Sequence, residues 1–204
     1  MENPFKKYYD RVYSENENFF GRGTEKPSSL VRKIPEYLKG GSVLELGTGQ
    51  GRNALWLARQ GFEVDARDIS QVGIKQIQKV ATEEKLPVRA SCVDMREPLI
   101  GMYDAIMSTA AFHYISRKDA LELIQEMKLH TNPLGVNVIA AFTQDGDFFK
   151  NNPEGFYPNR LELKEIYNDW EVLTYDEISS PAMAKKEDGS PMINTIARLI
   201  ARKS

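Results

Sequence analysis

An apolar run, Val43-Leu44-Glu45-Leu46, leads into Gly47-Thr48-Gly49-Gln50-Gly51 and then into a helical pattern from Arg52 onward. No other stretch limits the possible folds as strongly. Without Cβ atoms the three glycines let the backbone turn sharply and sit against a flat ligand, while the next helix, expected over about 52–60, aims its amino end at the same place. Glu45 is an acid inside an otherwise apolar strand. Desolvating it costs several kcal/mol unless something pairs with it, so a partner is expected at the strand's carboxyl end.

The spacing argues against a dinucleotide. That fingerprint, G-x-G-x-x-G, needs a glycine at position 52, where the helix must pack closely and the pyrophosphate must reach its terminus. Position 52 is Arg, and the third glycine comes one residue earlier. The run Phe62-Glu63-Val64-Asp65-Ala66-Arg67-Asp68 alternates apolar and polar as a strand does. It ends in Asp68, about twenty residues after the glycines, where an acid can accept both hydroxyls of a ribose. Asp65 falls on the charged side of that alternation with Glu63 and Arg67 and is expected to be solvated. A third strand over 87–93 ends at Asp94-Met95. A fourth over 103–108 runs into Thr109-Ala110-Ala111-Phe112-His113-Tyr114.

Helices are expected over 72–84 and 118–129, and a fifth strand over 136–142 after a turn at 131–135. The alternation implies parallel strands with helices on both faces. Residues 143–158 are rich in Asn, Asp, Gly, Pro and aromatics and read as a loop. A short helix over 161–169 then precedes strands over 170–175 and 193–200, which can pair as a closing hairpin across a polar turn at 185–191. Before the sheet, Phe5, Tyr8, Tyr9, Tyr13, Phe19 and Phe20 crowd together, a turn-like segment covers 21–27 and a helix begins near Ser28. The stripe Phe5, Tyr9, Tyr13 reads either as a helix packed on the core or as a lid whose aromatic faces attract a cation and exclude water.

With 204 residues the chain is expected to form one domain. Its 27 Lys+Arg and 29 Asp+Glu leave a net charge of −2, so no overall basic field draws it to nucleic acid or anionic membrane. No apolar run suits a signal peptide or a membrane span, and a cytoplasmic location is expected. The single cysteine, Cys92, falls in a strand and is expected to be a small buried residue suited to a reducing compartment. Two histidines and one cysteine give no metal-ligand spacing.

The acid two residues before Gly47, with glycines at 47, 49 and 51, resembles the E/D-x-G-x-G-x-G motif of class I S-adenosylmethionine-dependent methyltransferases. Within that family the stretches Gly49 to Ala58 and Gly61 to Ser70, with the tail at 157–170 and 197–203, are similar to the tellurite-resistance type of small methyltransferases. The Gly51-Arg52-Asn53 run is characteristic of that type. One departure stands out: that type carries a His-Arg pair in the loop before the last strand, where this chain reads Pro181-Ala182-Met183-Ala184-Lys185-Lys186.

The resemblance implies an α/β, Rossmann-like fold, a seven-stranded mostly parallel sheet with a C-terminal antiparallel hairpin and helices on both faces. Residues 1–40 would form a helical lid, 41–142 the cofactor core and 143–204 the acceptor side. It implies S-adenosylmethionine as cofactor, held by Tyr13, Glu45, Gly47, Thr48, Gly49, Gly51, Asn53, Asp68, Ile69, Asp94, Met95 and Thr109. Asp68 would take the ribose, and Asp94 with Met95 the adenine. Tyr9, Tyr114, Tyr157 and Arg160 would line the acceptor site, and His113 would be the candidate base.

No Asp/Asn-Pro-Pro-Tyr/Phe-like run follows the fourth strand, which disfavours amino methylation of adenine or glutamine. Ser108 and Thr109 are poor magnesium ligands, which favours a metal-independent reaction. The expected acceptor is therefore a small molecule, a thiol, a selenium or tellurium oxyanion or another metabolite, methylated in line by a monomer or homodimer. A soft nucleophile would need little base assistance and leave His113 dispensable. Two other readings stand: an RNA or protein methyltransferase, for which Lys6, Lys7, Arg11, Arg22, Lys26, Arg32 and Lys33 would have to gather on the open face, and an inactive S-adenosylmethionine-binding module.

Overall fold

The computed structural model describes residues 4–16, 19 and 27–204, with the side chains of 182–184 outside the description. Along the chain come α1 (Pro4–Glu15), a 3-10 turn at Val31–Lys33, α2 (Ile34–Tyr37), β1 (Gly41–Leu46), α3 (Arg52–Arg59), β2 (Phe62–Asp68), α4 (Gln71–Glu83) and β3 (Val88–Cys92). Then follow β4 (Tyr103–Thr109), a 3-10 turn at Phe112–Tyr114, α5 (Arg117–Leu129), β5 (Thr131–Gly146), α6 (Asp147–Asn151), α7 (Glu162–Ile166), β6 (Glu171–Lys185) and β7 (Pro191–Arg202). The strands form one seven-stranded sheet in the order β3-β2-β1-β4-β5-β7-β6. β1 pairs in parallel with both β2 and β4, and β7 runs antiparallel to its neighbours β5 and β6.

Because β1 is the strand from which the order departs in both directions, its carboxyl end opens a crevice of the kind where α/β sheets bind ligands. The glycine turn sits at that end. A central strand with helices on both faces must be apolar on both, and the run Val43 to Leu46 meets that demand. Val43 packs with Val64, Ala105 and Val138 against Leu55 of α3 and Ile74 and Ile77 of α4. Leu44 and Leu46 pack on the other face with Ile106, Ile139 and Leu199 against Leu123 and Ile124 of α5 and Leu163 of α7.

Several local expectations change. Asp65 is buried rather than solvated, because the β2–β3 register sets it directly opposite Arg89. Arg89 grips both of its oxygens, Nε at 2.6 Å from Oδ1 and Nη2 on Oδ2, and the Tyr103 hydroxyl donates to Oδ2 at 2.7 Å, so these donors hold its carboxyl below the usual range although burial opposes them. Cys92 is exposed, because β3 is an edge strand and its thiol is turned outward, donating to the Ile69 carbonyl at 3.3 Å.

The turn at 131–135 is absorbed into β5: Thr131 pairs with Tyr103, the register slips and Val136 pairs with Ala105, with Leu134 at φ 62° taking up the irregularity. Finally, β5, β6 and β7 all run farther than expected, and 147–151 is helical rather than loop. The polar residues that obscured these extensions pair across the ladder, Arg198 with Asp176 and Ser179 with Thr195. The helix expected near Ser28 is broken into a 3-10 turn and the four residues of α2, and the one expected over 161–169 is confined to α7. Phe20 and most of the turn expected at 21–27 lie outside the described residues.

Candidate functional site

Gly47, Gly49 and Gly51 have φ of 73°, 60° and 81°, values that residues with a side chain adopt at a cost. The turn they make is fastened from below by Glu45. This carboxylate is 1% exposed; its Oε2 accepts from Thr48 Oγ1 at 2.6 Å and its Oε1 from Asn53 Nδ2 at 2.8 Å. Asn53 Nδ2 also reaches Thr109 Oγ1 at 3.1 Å, and Asn53 Oδ1 accepts from the Ser28 amide at 2.9 Å. The partners expected for Glu45 are thus Thr48 and Asn53, and together they tie β1, the turn, α3 and the end of β4 into one unit. Burial pushes the Glu45 carboxyl up to about 7 in spite of those two donors.

Asp68, at the end of β2, faces the turn. Its Oδ2 accepts from the Gly49 amide at 2.7 Å and its Oδ1 from the Ser70 amide at 2.8 Å. Burial raises its pKa, and Asp10 adds to the effect. Each oxygen has a further lone pair for a ligand hydroxyl. Ser70 caps α4, its Oγ accepting from the Gly73 amide at 3.2 Å. A Cβ on Gly73 would lie 2.5 Å from the Gly49 carbonyl oxygen and 3.2 Å from the Tyr13 ring, so α4, the turn and α1 abut at one point.

The residues that dock α1 there escaped the sequence reading. Asp10 Oδ1 accepts from Ser70 Oγ at 2.6 Å and from the Val72 amide at 3.2 Å. Gln76 donates to the Tyr13 carbonyl at 2.9 Å; Gln50 donates to the Asn16 carbonyl at 2.9 Å and accepts from the Phe19 amide at 2.8 Å. Only Ser70, a capping residue type directly before a helical pattern, carried a readable signal.

From α1 an unbroken series of rings crosses the site. Tyr13 is buried, with its hydroxyl 3.0 Å from where a Cβ on Gly49 would stand. Its ring centroid lies 5.3 Å from that of Tyr9, which stands 5.5 Å from Tyr114 and shares a hydrogen bond with it between the two hydroxyls. Phe5 packs on Tyr114 at 4.9 Å. His113 follows, 3.9 Å from Tyr114, 5.0 Å from Phe142 and 6.1 Å from both Phe148 and Tyr157. Burial lowers His113 to about 4, so its imidazole is neutral near pH 7, and burial pushes the Tyr157 phenol up to about 12.

The other candidates lie apart from this wall. Asp94 is chelated by Arg96, Nη2 at 2.6 Å and Nε at 3.0 Å, beside a cavity of about 640 Å³ that Arg67, Arg89 and Cys92 also line. Ile69 offers its carbonyl to Cys92, and Met95 packs against the α5-side core. Arg160 lines a separate cavity of about 540 Å³ with Asp145, Tyr175, Glu177 and Ser179. Of the basic residues that a macromolecular substrate would need, Lys6 pairs with Asp10, Lys33 donates to Thr174, and Arg22 and Lys26 lie outside the described residues. Among the described residues no group of three His, Cys, Asp or Glu could hold a metal ion, and no helix is long and apolar enough to cross a membrane.

The sheet order, the closing antiparallel strands and the glycine turn beneath an acid at the end of β2 define the Rossmann-like fold of class I methyltransferases. The family described as Tellurite resistance protein TehB matches residues 12–194, and the chain belongs to that family. It is 35% identical over 162 residues to the probable S-adenosyl-L-methionine-dependent methyltransferase TehB of Haemophilus influenzae, covering 79% of this chain and 57% of that one. It is 30% identical over 194 residues to Hemagglutinin 1 of Eikenella corrodens, covering 94% and 65%. The crystal structure of TehB from Haemophilus influenzae superposes with a TM-score of 0.80 at 29% identity, over 96% of this chain and 67% of that one. The chain therefore spans less than two thirds of the length of these two curated relatives.

Proposed function

We propose that the chain transfers a methyl group from S-adenosylmethionine to a small-molecule acceptor. The observation that carries this reading is the Asp68 carboxylate held against the Gly49 amide, a ribose-accepting acid at a glycine turn. The residues fit a nucleoside: Asp68 faces the glycine turn at the end of β2 with lone pairs left for ribose hydroxyls, and Arg52 occupies the position where a dinucleotide site requires glycine. Bound there, the sulfonium supplies an activated methyl group and a neutral leaving group.

The chain's own contribution is placement and exclusion of water. Asp68 fixes the ribose hydroxyls; the Glu45–Asn53–Thr109 network holds the turn against the end of β4, where the methyl and acceptor would meet. Ile69, Asp94 and Met95 would flank the adenine, with Asp94 held in place by Arg96. Residues 1–40 would act as a lid, docked through Asp10, Gln50 and Gln76, with Tyr13 over the turn and Tyr9 and Tyr114 toward the acceptor. His113 and Tyr157 would complete the acceptor wall. The name of the Haemophilus influenzae relative supports both the cofactor and the reaction.

A mass-spectrometric screen of thiols, selenite, carboxylates and amines, with formation of S-adenosylhomocysteine as the readout, tests the proposal. Turnover on one of these small acceptors supports it, and deletion of residues 1–20 should then abolish turnover. Activity confined to RNA, DNA or protein substrates, or full activity in the truncated chain, contradicts it.

A further inference from the structure

The cavity of about 540 Å³ is walled by Asp145 near the end of β5, by Arg160 and Leu161 ahead of α7, and by the middle of β6. A volume of that order suits a small molecule. Arg160 and Asp145 both line it, yet neither pairs with the other or with any other described residue. The neighbouring acids differ. Asp176 is gripped by Arg198 through both oxygens at 2.6 Å. Glu177 has committed one oxygen, its Oε1 accepting from the Tyr175 hydroxyl at 2.5 Å and from the Leu161 amide at 2.7 Å, and Oε2 meets no donor among the described residues. Ser179 and Thr195 share one hydrogen bond between their hydroxyls at 2.7 Å, which leaves a second proton for a ligand.

The backbone around these groups is fixed. Leu161 sits at φ 64°, left-handed backbone that a leucine adopts only under constraint, and such strain gathers at binding sites and clamps. Its amide is the one that Glu177 holds. The preceding segment is tied to β5 by Gln144, whose amide donates to the Pro158 carbonyl at 3.4 Å and whose Nε2 donates to the Tyr157 carbonyl at 3.3 Å. Arg160 and Asp145 thus stand on two backbones fastened to each other, with their charges left open.

We propose that this cavity binds an α-amino acid with a polar side chain, its carboxylate on Arg160 and its ammonium between Asp145 and Glu177. A guanidinium fork matches a carboxylate through two parallel N–H donors. A primary ammonium carries three donors, enough for both acids. An inorganic anion would leave the two acids unmatched, and a simple cation would leave Arg160 unmatched. A molecule with both charges answers all three. The volume leaves room beyond the charged groups, and the Ser179 and Thr195 hydroxyls favour a side chain that can hydrogen-bond. Nothing in this site depends on methyl transfer. Occupancy would bridge Arg160 to Asp145 and brace the segment that carries Tyr157.

The test is calorimetric titration of the whole chain with L-serine, L-glutamine and L-lysine, and with the N-acetyl and methyl ester derivatives of each, which lack one charge apiece. At least one of the three amino acids should bind with a dissociation constant below about 1 mM. Its two derivatives should bind about tenfold more weakly or worse, since each leaves a charged group of the site unmatched. Arg160→Gln and Asp145→Asn should each weaken the amino acid by about tenfold, and Arg160→Gln should no longer distinguish it from its methyl ester. That loss of discrimination is a readout that a merely structural role would not move. No binding of any of the three at about 10 mM, equal binding of the methyl ester by wild type, or a silent substitution at either position overturns the proposal. If a substitution disturbs the fold, as read by circular dichroism, the methyl ester comparison on wild type decides alone.

Discussion

Asp10 on α1 lies 2.6 Å from Ser70 Oγ and accepts from the Val72 amide at 3.2 Å, so one helix supplies a second cap to the amino end of another. Ser70 is the residue next but one to Asp68. The position of α1 is thereby coupled to the acid proposed to hold the ribose. Replacing Asp10 with Ala removes both bonds, a loss of about 1–2 kcal/mol on the scale of helix caps. Dissociation of S-adenosylhomocysteine, followed by stopped flow, should become about tenfold faster by the same conversion. An unchanged rate would show that α1 does not close the site.

Gly73 offers a test in which two effects oppose each other. Alanine in a helix interior is favoured over glycine by about 1 kcal/mol. Here the added methyl would meet the Gly49 carbonyl oxygen at 2.5 Å, backbone that cannot swing aside. Overpacking of that kind costs about 1–3 kcal/mol. The clash should win, with Gly73→Ala lowering the thermal midpoint and weakening cofactor binding; a more stable variant would contradict the close approach of α4 to the turn.

Glu45 sets a pH dependence whose sign is opposite to that of a salt-bridged acid. Its carboxyl is pushed from the ordinary 4.5 up to about 7 by burial, so between those values the folded chain holds a proton that the unfolded chain has released. The stability it contributes is full below about 4.5 and is lost as pH rises through about 7. The shift corresponds to about 3 kcal/mol. Denaturant unfolding of wild type and Glu45→Gln should give a stability difference that moves against the wild type from pH 4.5 to 7. A flat difference would place the titration elsewhere.

The core of this fold was readable because burial on both faces leaves a plain record. The apolar runs at Val43 to Leu46 and Ala105 to Met107 have no alternative but central strands, and the glycines have no alternative but a turn. The Asp68 position followed from spacing alone. What the sequence concealed depends on register and docking: Asp65 is buried because Arg89 stands directly across from it, and no periodicity along one strand reports what faces it on the next. Asp10, Gln50 and Gln76 look like ordinary surface residues until α1 is set on α4. The outer strands were under-read because their polar residues satisfy one another across an edge ladder. Arg160, expected on the acceptor side, lines a cavity with Tyr175, Asp176 and Glu177 of β6, a neighbourhood that the shorter strand expected from the sequence could not indicate.

The Asp68 contact bears on affinity more than on fold. Truncation to Ala removes charge-assisted hydrogen bonds to the ribose, a loss of about 1.5–3 kcal/mol in all. Asp68→Ala should weaken S-adenosylmethionine binding by that amount while its circular dichroism stays native. Undiminished affinity would move the ribose contact to another residue.

The central claim is the identity of the cofactor, and calorimetric titration of the purified chain addresses it without any knowledge of the acceptor. S-adenosylmethionine and S-adenosylhomocysteine should each bind at one site per chain, while NAD should give no heat, since Arg52 stands where a dinucleotide helix requires glycine. Binding of NAD with no response to S-adenosylmethionine would contradict the account.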